Sequence, residues 1–183
     1  AIGFFKKAIR IDPKHPNWYL FSLGLCYFWT GQYEEAIAAF KKCISREPKH
    51  ADAHALLGAS LVGAGKPEEA ISMLDKALSL NPDGPGWYAG NLAVARAFTG
   101  QPEEAITTLR EALSLDPDNA EVPRYLSLLL YYEGKHEESL SMARNALSLK
   151  KKTPGSMPDT EFYMTLGLSH LMMEQYKKAI TAF

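Results

Sequence analysis

The chain has 183 residues, 46% of them hydrophobic, with 20 basic and 21 acidic side chains and a net charge of −1. That is the composition of a folded protein without charge bias, and it argues against a general nucleic-acid or membrane-surface binder, which needs a basic excess. Two cysteines, Cys26 and Cys43, make no disulfide framework, and the longest markedly apolar stretch, "YLFSLGLCYFW", has 11 residues where about 20 are needed to span a bilayer.

The opening "AIGFFKKAIRIDP" lacks a basic start followed by a long apolar region, so it reads as no signal peptide and cytoplasmic residence is the expectation. Residues 1–15 instead read as the second helix of an incomplete unit, with Ile2, Phe5 and Ile9 lacking the helix they would pack against. Residues 17–50 form the first whole unit. Leu20, Leu23, Gly24 and Tyr27 repeat at helical spacing, a turn follows at Thr30-Gly31-Gln32, and Ile37, Phe40 and Ile44 make a second stripe. The text then recurs. "TGQYEEAIAAF" at 30–40 returns as "AGKPEEAISML" at 64–74 and "TGQPEEAITTL" at 99–109.

Aligned on the small residue after the acidic pair, the copies fall at Ala1, Ala36, Ala70, Ala105, Ser139 and Ala179, with steps of 35, 34, 35, 34 and 40. Turn glycines precede them at 31, 65, 100 and 134, and prolines follow at 13, 48, 82 and 117. The predicted spans are 17–50, 51–84, 86–119, a divergent 120–152, a linker 153–159 and an incomplete 160–183. Pro67 and Pro102 sit where a second helix begins. The acidic pairs lie in its first turn, beside the positive end of the helix dipole. Asn17, Asn119 and Asp159 are expected to cap first helices. Ala36 and Ala70 permit close helix approach. A longer period of 69 residues also shows, in "WY" at 18 and 87 and "TGQ" at 30 and 99. A duplicated two-unit block and chance reuse of one consensus both account for it. The segment "LKKKTPGSMPDTEF", 149–162, is expected to be a solvated insertion, with a basic contact loop or hinge as the alternative.

This pattern resembles the tetratricopeptide repeat (TPR) family, whose unit of about 34 residues is a helix–turn–helix. The first unit carries Leu23-Gly24, Tyr27, Ala36, Phe40, Cys43 and Pro48 at the family spacings, and the second Leu57-Gly58, Leu61, Ala70, Leu74, Ala77 and Pro82. The third has Arg96 where Tyr is usual. The fourth departs most, with Ser127, Ser139, and Lys151 in place of the proline. The fifth has Leu166-Gly167, Ala179 and Phe183. The resemblance implies an all-α, right-handed α-solenoid of stacked helix-turn-helix TPR units, with the first helices lining a concave groove.

No reaction site is read. His50 and His54 are four apart with Asp52 between them, but there is no third ligand, and His15, His136 and His170 are isolated. Gly84 and Gly86 lack the Lys-Ser/Thr ending of a phosphate loop. The acidic pairs recur in every unit, whereas a catalytic pair would occur once. No enzyme activity, metal or cofactor is expected.

The family resemblance places Trp18, Phe21, Leu25, Phe28 and Trp29 on the groove, then Trp87, Asn91, Val94 and Phe98, then Arg124, Tyr125, Leu128 and Tyr132, with Ala55, Leu56, Ala59 and Val62 between them. Relatives that clamp acidic tails carry Lys, Arg and Asn there, and only Asn91 and Arg124 fit that chemistry. The expected function is a protein-protein interaction scaffold binding an apolar or aromatic peptide or helix. The alternative is a regulatory or assembly segment of a larger polypeptide, its groove closed by its own chain or by self-association. The aromatic stripe either fills a tight superhelix or is covered by a partner. The sequence also reads as a piece of a longer array, and self-association through uncapped ends is the corresponding expectation. No nucleic-acid partner and no membrane insertion are expected.

Overall fold

The computed structural model describes residues 1–12 and 14–152, together with 167, 171 and 174. Pro13, the predicted linker, the cap at Asp159 and almost all of the incomplete unit 160–183 lie outside the described residues. Within them are nine α-helices and no strand: α1 (Ile2–Ile11), α2 (Asn17–Trp29), α3 (Tyr33–Arg46), α4 (Ala51–Gly63), α5 (Pro67–Leu80), α6 (Gly86–Phe98), α7 (Pro102–Leu115), α8 (Glu121–Tyr132) and α9 (His136–Lys152). The all-α expectation holds. Two compact units are formed. One comprises Ala1–Gly84 with Val94–Thr99; the other comprises Pro85–Ala93 with the described residues from Gly100 onward.

The turns follow from glycine. Gly31, Gly65, Gly100 and Gly134 have φ of +72°, +74°, +77° and +73°, and no other residue type adopts a positive φ among the described residues. A left-handed residue after the helix lets the next amide reach back over the helix end. Gln32 N donates to Tyr27 O at 2.9 Å, Lys66 N to Leu61 O at 2.8 Å and Lys135 N to Leu130 O at 2.9 Å. The second helices then start on Pro67 and Pro102, with glutamate pairs in their first turns. They end just before Pro48, Pro82 and Pro117, since the residue preceding a proline is pushed out of the helical region. α9 meets no such proline. It runs 17 residues, against 14 in α3, α5 and α7. The expected solvated insertion is therefore corrected at its start: residues 149–152 are helix, with Leu149 and Lys150 buried.

In the first unit, α2 packs on α3, α3 on α4 and α4 on α5. Contact runs through Gly24, where a Cβ would stand 2.6 Å from Phe40 Cε1, and Gly58, where it would stand 2.5 Å from Leu74 Cγ. Phe40 and Leu74 are fully buried, as are Ala36, Cys43, Ala70 and Ala77. In the second unit, α7 packs on α8 and α8 on α9. There the two departures from the repeat text face each other. Ser127 Oγ donates to Ser139 O at 2.7 Å, Ser139 Oγ donates to Ser127 O at 2.8 Å, and the hydroxyls lie 3.2 Å apart. Both are completely buried, so each residue supplies what the other's burial requires.

Of three local expectations, two are corrected and one holds. Asn17 does not cap α2: it is the first residue of that helix, and its Nδ2 donates to Cys43 O at 3.2 Å and Glu47 Oε2 at 3.1 Å. Asn119 does act as a cap, its Oδ1 accepting from the amides of Glu121 and Val122 at 3.0 and 3.3 Å. His15 is not isolated. Arg46 Nη1 donates to its Nε2 at 3.1 Å and to its carbonyl at 2.9 Å. A guanidinium only donates, so Nε2 accepts and the ring proton sits on Nδ1, which reaches Asp12 O at 2.9 Å. The ring thus ties the α1–α2 connection to the end of α3.

These contacts set the stability of each pair. Gly58→Ala gains about 0.8–1.0 kcal/mol of helix propensity, but the new methyl must displace a fully buried Leu74, at about 1–3 kcal/mol. The net is a lower urea midpoint with an unchanged denaturant slope. Ser127→Ala and Ser139→Ala each cost about 1 kcal/mol, and the double variant is expected to cost measurably less than the two singles together. Strict additivity in urea titrations would show that the hydroxyls act separately.

Candidate binding faces

The first helices of the pairs, α2, α4, α6 and α8, carry the predicted groove residues. α2 and α4 contain no lysine or arginine, and Asp52 is their one carboxylate. They differ in cover. Every residue of α4 from Ala53 to Leu61 is buried, including Ala55, Leu56 and Ala59. α2 buries only Leu20, Leu23, Gly24 and Tyr27. Its other side holds the large residues. Trp18 is 55% exposed and Trp29 78% exposed.

The predicted stripe on α2 divides. Phe21 stacks on the His50 ring at 4.8 Å and meets Phe40 edge-on at 6.0 Å. Phe28 meets Tyr33 at 6.0 Å and Trp29 at 5.3 Å. These two phenylalanines are half-buried seams between helices. Trp18 leans on Phe5 at 6.1 Å and Tyr19 at 4.2 Å with one side left to solvent. Leu25 and Trp29 line an open hollow with Cys26, Thr30 and the start of α1, Ala1, Ile2 and Gly3. No signal in the α2 periodicity marks Cys26 or Thr30 for this place, because it is created by α1. In the same unit Val94 is half-buried and Phe98 is 71% exposed.

In the second unit, Gly90 and Tyr125 are in close approach, a Cβ at Gly90 falling against the edge of the ring. Tyr125 is thereby held against α6, and the Arg124 guanidinium lies 4.2 Å from its ring centre. Arg124 is buried. Asn91 directs its Nδ2 to Trp87 O at 2.8 Å, within its own helix. So the two polar residues at predicted groove positions are both engaged internally. Trp87 and Leu128 are half-buried and Tyr132 is 73% exposed.

The histidines do not converge. His50 Nδ1 accepts from Ala53 N at 3.4 Å at the start of α4, while the buried His54 donates from Nε2 to Pro48 O at 3.0 Å. Among the described residues no group of three His, Cys, Asp or Glu side chains is placed to hold a metal ion, and no helix is long and apolar enough to cross a membrane.

A sequence model of the tetratricopeptide repeat matches residues 1–60, 30–90 and 61–130. The chain belongs to the tetratricopeptide repeat family. Members of this family generally act as protein-interaction scaffolds. Among curated proteins, the chain is similar to Small glutamine-rich tetratricopeptide repeat-containing protein 2 of Mycosarcoma maydis, 29% identical over 82 residues, which is 45% of this chain and 23% of that protein. The chain therefore spans less than a quarter of that relative. Among solved structures, TTC0263, a thermophilic TPR protein of Thermus thermophilus, is 22% identical with a TM-score of 0.76, covering 93% of this chain and 89% of that one. YrrB, described as a TPR protein with an unusual peptide-binding site, is 22% identical with a TM-score of 0.62, covering 99% of this chain and 89% of that one. These likenesses show the fold, an α-solenoid of TPR units.

The two thiols sit in different surroundings. Cys43 is fully buried, and burial pushes its thiol above the ordinary range, opposed by the Asn17 amide 3.2 Å from its Sγ. Cys26 is half-buried beside the open hollow. A raised pKa leaves less of the reactive thiolate. Iodoacetamide is expected to label Cys26 in the native protein, and Cys43 only on unfolding. Equal labelling of both by mass spectrometry would contradict the packing of α2 on α3.

Proposed function

We propose that this chain is a non-catalytic scaffold that takes an apolar or aromatic peptide or helix on the open faces of its first helices. The observation that carries this reading is the contrast between α2 and α4. Both are apolar around most of their circumference, and such helices are normally covered on both sides. α4 has that cover and α2 does not, leaving Trp18 and Trp29 exposed. Exposed apolar patches of this kind mark interaction sites, and tryptophan is enriched where interface energy concentrates. The second unit adds Trp87, Tyr125, Leu128 and Tyr132. Binding of an acidic tail is not favoured, since Arg124 is buried and Asn91 bonds within its helix. The peptide-binding site described for YrrB belongs to that protein and supports the reading only by likeness of fold.

A second reading has the open surface covered by neighbouring chain of a longer polypeptide or by a second copy. It is favoured by α1, on which no residue is buried and Phe4 and Ile11 are exposed. On this reading light scattering over a concentration series detects species larger than the monomer.

The test separates Trp29 from Phe21. Peptides selected from a random library against the protein are expected to be rich in Leu, Phe and Trp. Trp29→Ala should weaken them by about tenfold or more, with stability changed by no more than about 0.5 kcal/mol. Phe21→Ala, which removes contacts with His50 and Phe40, should cost about 3 kcal/mol if packed as a core residue and somewhat less at half burial. A collapse of the melting temperature in Trp29→Ala, with peptide affinity unchanged, would assign that side chain to packing.

A further inference from the structure

We propose that the bound segment is cationic at one end: an apolar or aromatic run flanked by lysine or arginine, with its basic residues seated where Trp29 meets the acidic starts of α3 and α5. The inference rests on the reading above, that the open face of α2 binds a segment, and it adds the charge of that segment.

The turns after α2 and α4 lie side by side in the first unit. Lys66 in the second turn pairs with Glu34 after the first, Nζ to Oε1 at 2.8 Å. The Tyr33 ring lies over Gly63, 2.7 Å from where a Cβ would stand. Phe28 meets both Tyr33 and Trp29 edge-on. Ring contacts therefore link the exposed indole through the half-buried Phe28 to Tyr33, the first residue of α3, which lies against the end of α4. Those starts carry Glu34, Glu35, Glu68 and Glu69, all exposed. The one cation in the two turns, Lys66, is committed to Glu34. Glu35, Glu68 and Glu69 enter none of the described ion pairs. Lys6, on α1, is placed over the Tyr27 ring at 5.4 Å.

The balance of charge here is negative: four glutamates stand against Lys66, which pairs with Glu34 and feels Glu69, and Lys6, which feels Glu35. Nucleic acid and acidic peptides are repelled by it. A neutral apolar segment would use the indole and leave the carboxylates in water. Lysine or arginine uses both, since an aromatic face attracts a cation through its quadrupole and the carboxylates attract it by charge. Starting α3 and α5 does not consume this capacity, because the glutamate side chains remain in solvent.

The experiment uses three synthetic peptides sharing one Leu/Phe run and ending in three lysines, three serines or three glutamates, titrated by calorimetry at low and high salt. The lysine-ended peptide is expected to bind about tenfold more tightly than the serine-ended one. The advantage should vanish at high salt, where exposed charges are screened. The combined variant Glu35→Gln, Glu68→Gln, Glu69→Gln, with an unchanged helical spectrum, should lose the preference and keep the serine-ended affinity. Trp29→Ala should weaken all three peptides. Equal binding of lysine- and serine-ended peptides overturns the cationic inference and leaves the apolar reading standing. A preference that survives the triple glutamine variant also overturns it. Absence of binding by every peptide overturns both.

Discussion

The structure depends on how closely two antiparallel helices can approach within a pair. At Gly24 and Gly58 one helix gives up its side chain so that Phe40 and Leu74 of the other can lie against its backbone. That contact fixes the rotation of both helices. Once Gly24 faces α3, Leu20, Leu23 and Tyr27 must face inward with it, and Trp18, Leu25 and Trp29 must face away. The placing of the aromatic surface is thus a consequence of the packing contact on the opposite side of the same helix. In α8 and α9 the equivalents of Gly24 and Ala36 are Ser127 and Ser139, and two reciprocal hydrogen bonds join them. A buried hydroxyl tolerates that position only because its counterpart changed too.

Much of this was legible in the sequence, for reasons that are local. Helical spacing, a glycine that must be left-handed, a proline that cannot continue a helix and a glutamate pair at a helix start each act within a few residues. The turns at Gly31, Gly65, Gly100 and Gly134 were therefore readable, as were the starts at Pro67 and Pro102. Even the overrun of α9 has a local cause, Lys151 standing where the other units have proline. What was not legible joins residues far apart in the chain. Asn17 has the chemistry of a cap, but Cys43 and Glu47 compete for its amide from a different helix. His15 looks isolated until Arg46, 31 residues later, is brought beside it.

The same division holds for the candidate site. Its residue types could be named from the stripe on α2, but their roles could not. Phe21 and Phe28 occupy positions equivalent in character to Trp18 and Trp29, yet the first two are taken up by His50 and Tyr33. Whether an aromatic ring becomes a seam or a surface depends on the neighbouring helix, and that neighbour is not encoded in the stripe itself. α4 shows the converse. Its small residues Ala55 and Ala59 stand at predicted groove positions and are buried.

The acidic helix starts connect the two levels. A glutamate pair after each turn is favourable because the first turn of a helix carries partial positive charge. That advantage acts through the backbone and does not require the carboxylate to touch another side chain. The repeat therefore sets acidic groups at the same end of each helical pair as the last residues of the first helices. In the first unit those last residues include Trp29, with Phe28 and Tyr33 leading from it toward the glutamates. A charge favoured by helix initiation and an aromatic surface set by helix packing thereby fall at the same end of the pair. Neither requirement refers to a ligand: the glutamates stand where helix initiation favours them, and Trp29 stands where the packing of Gly24 on the opposite side of α2 leaves it.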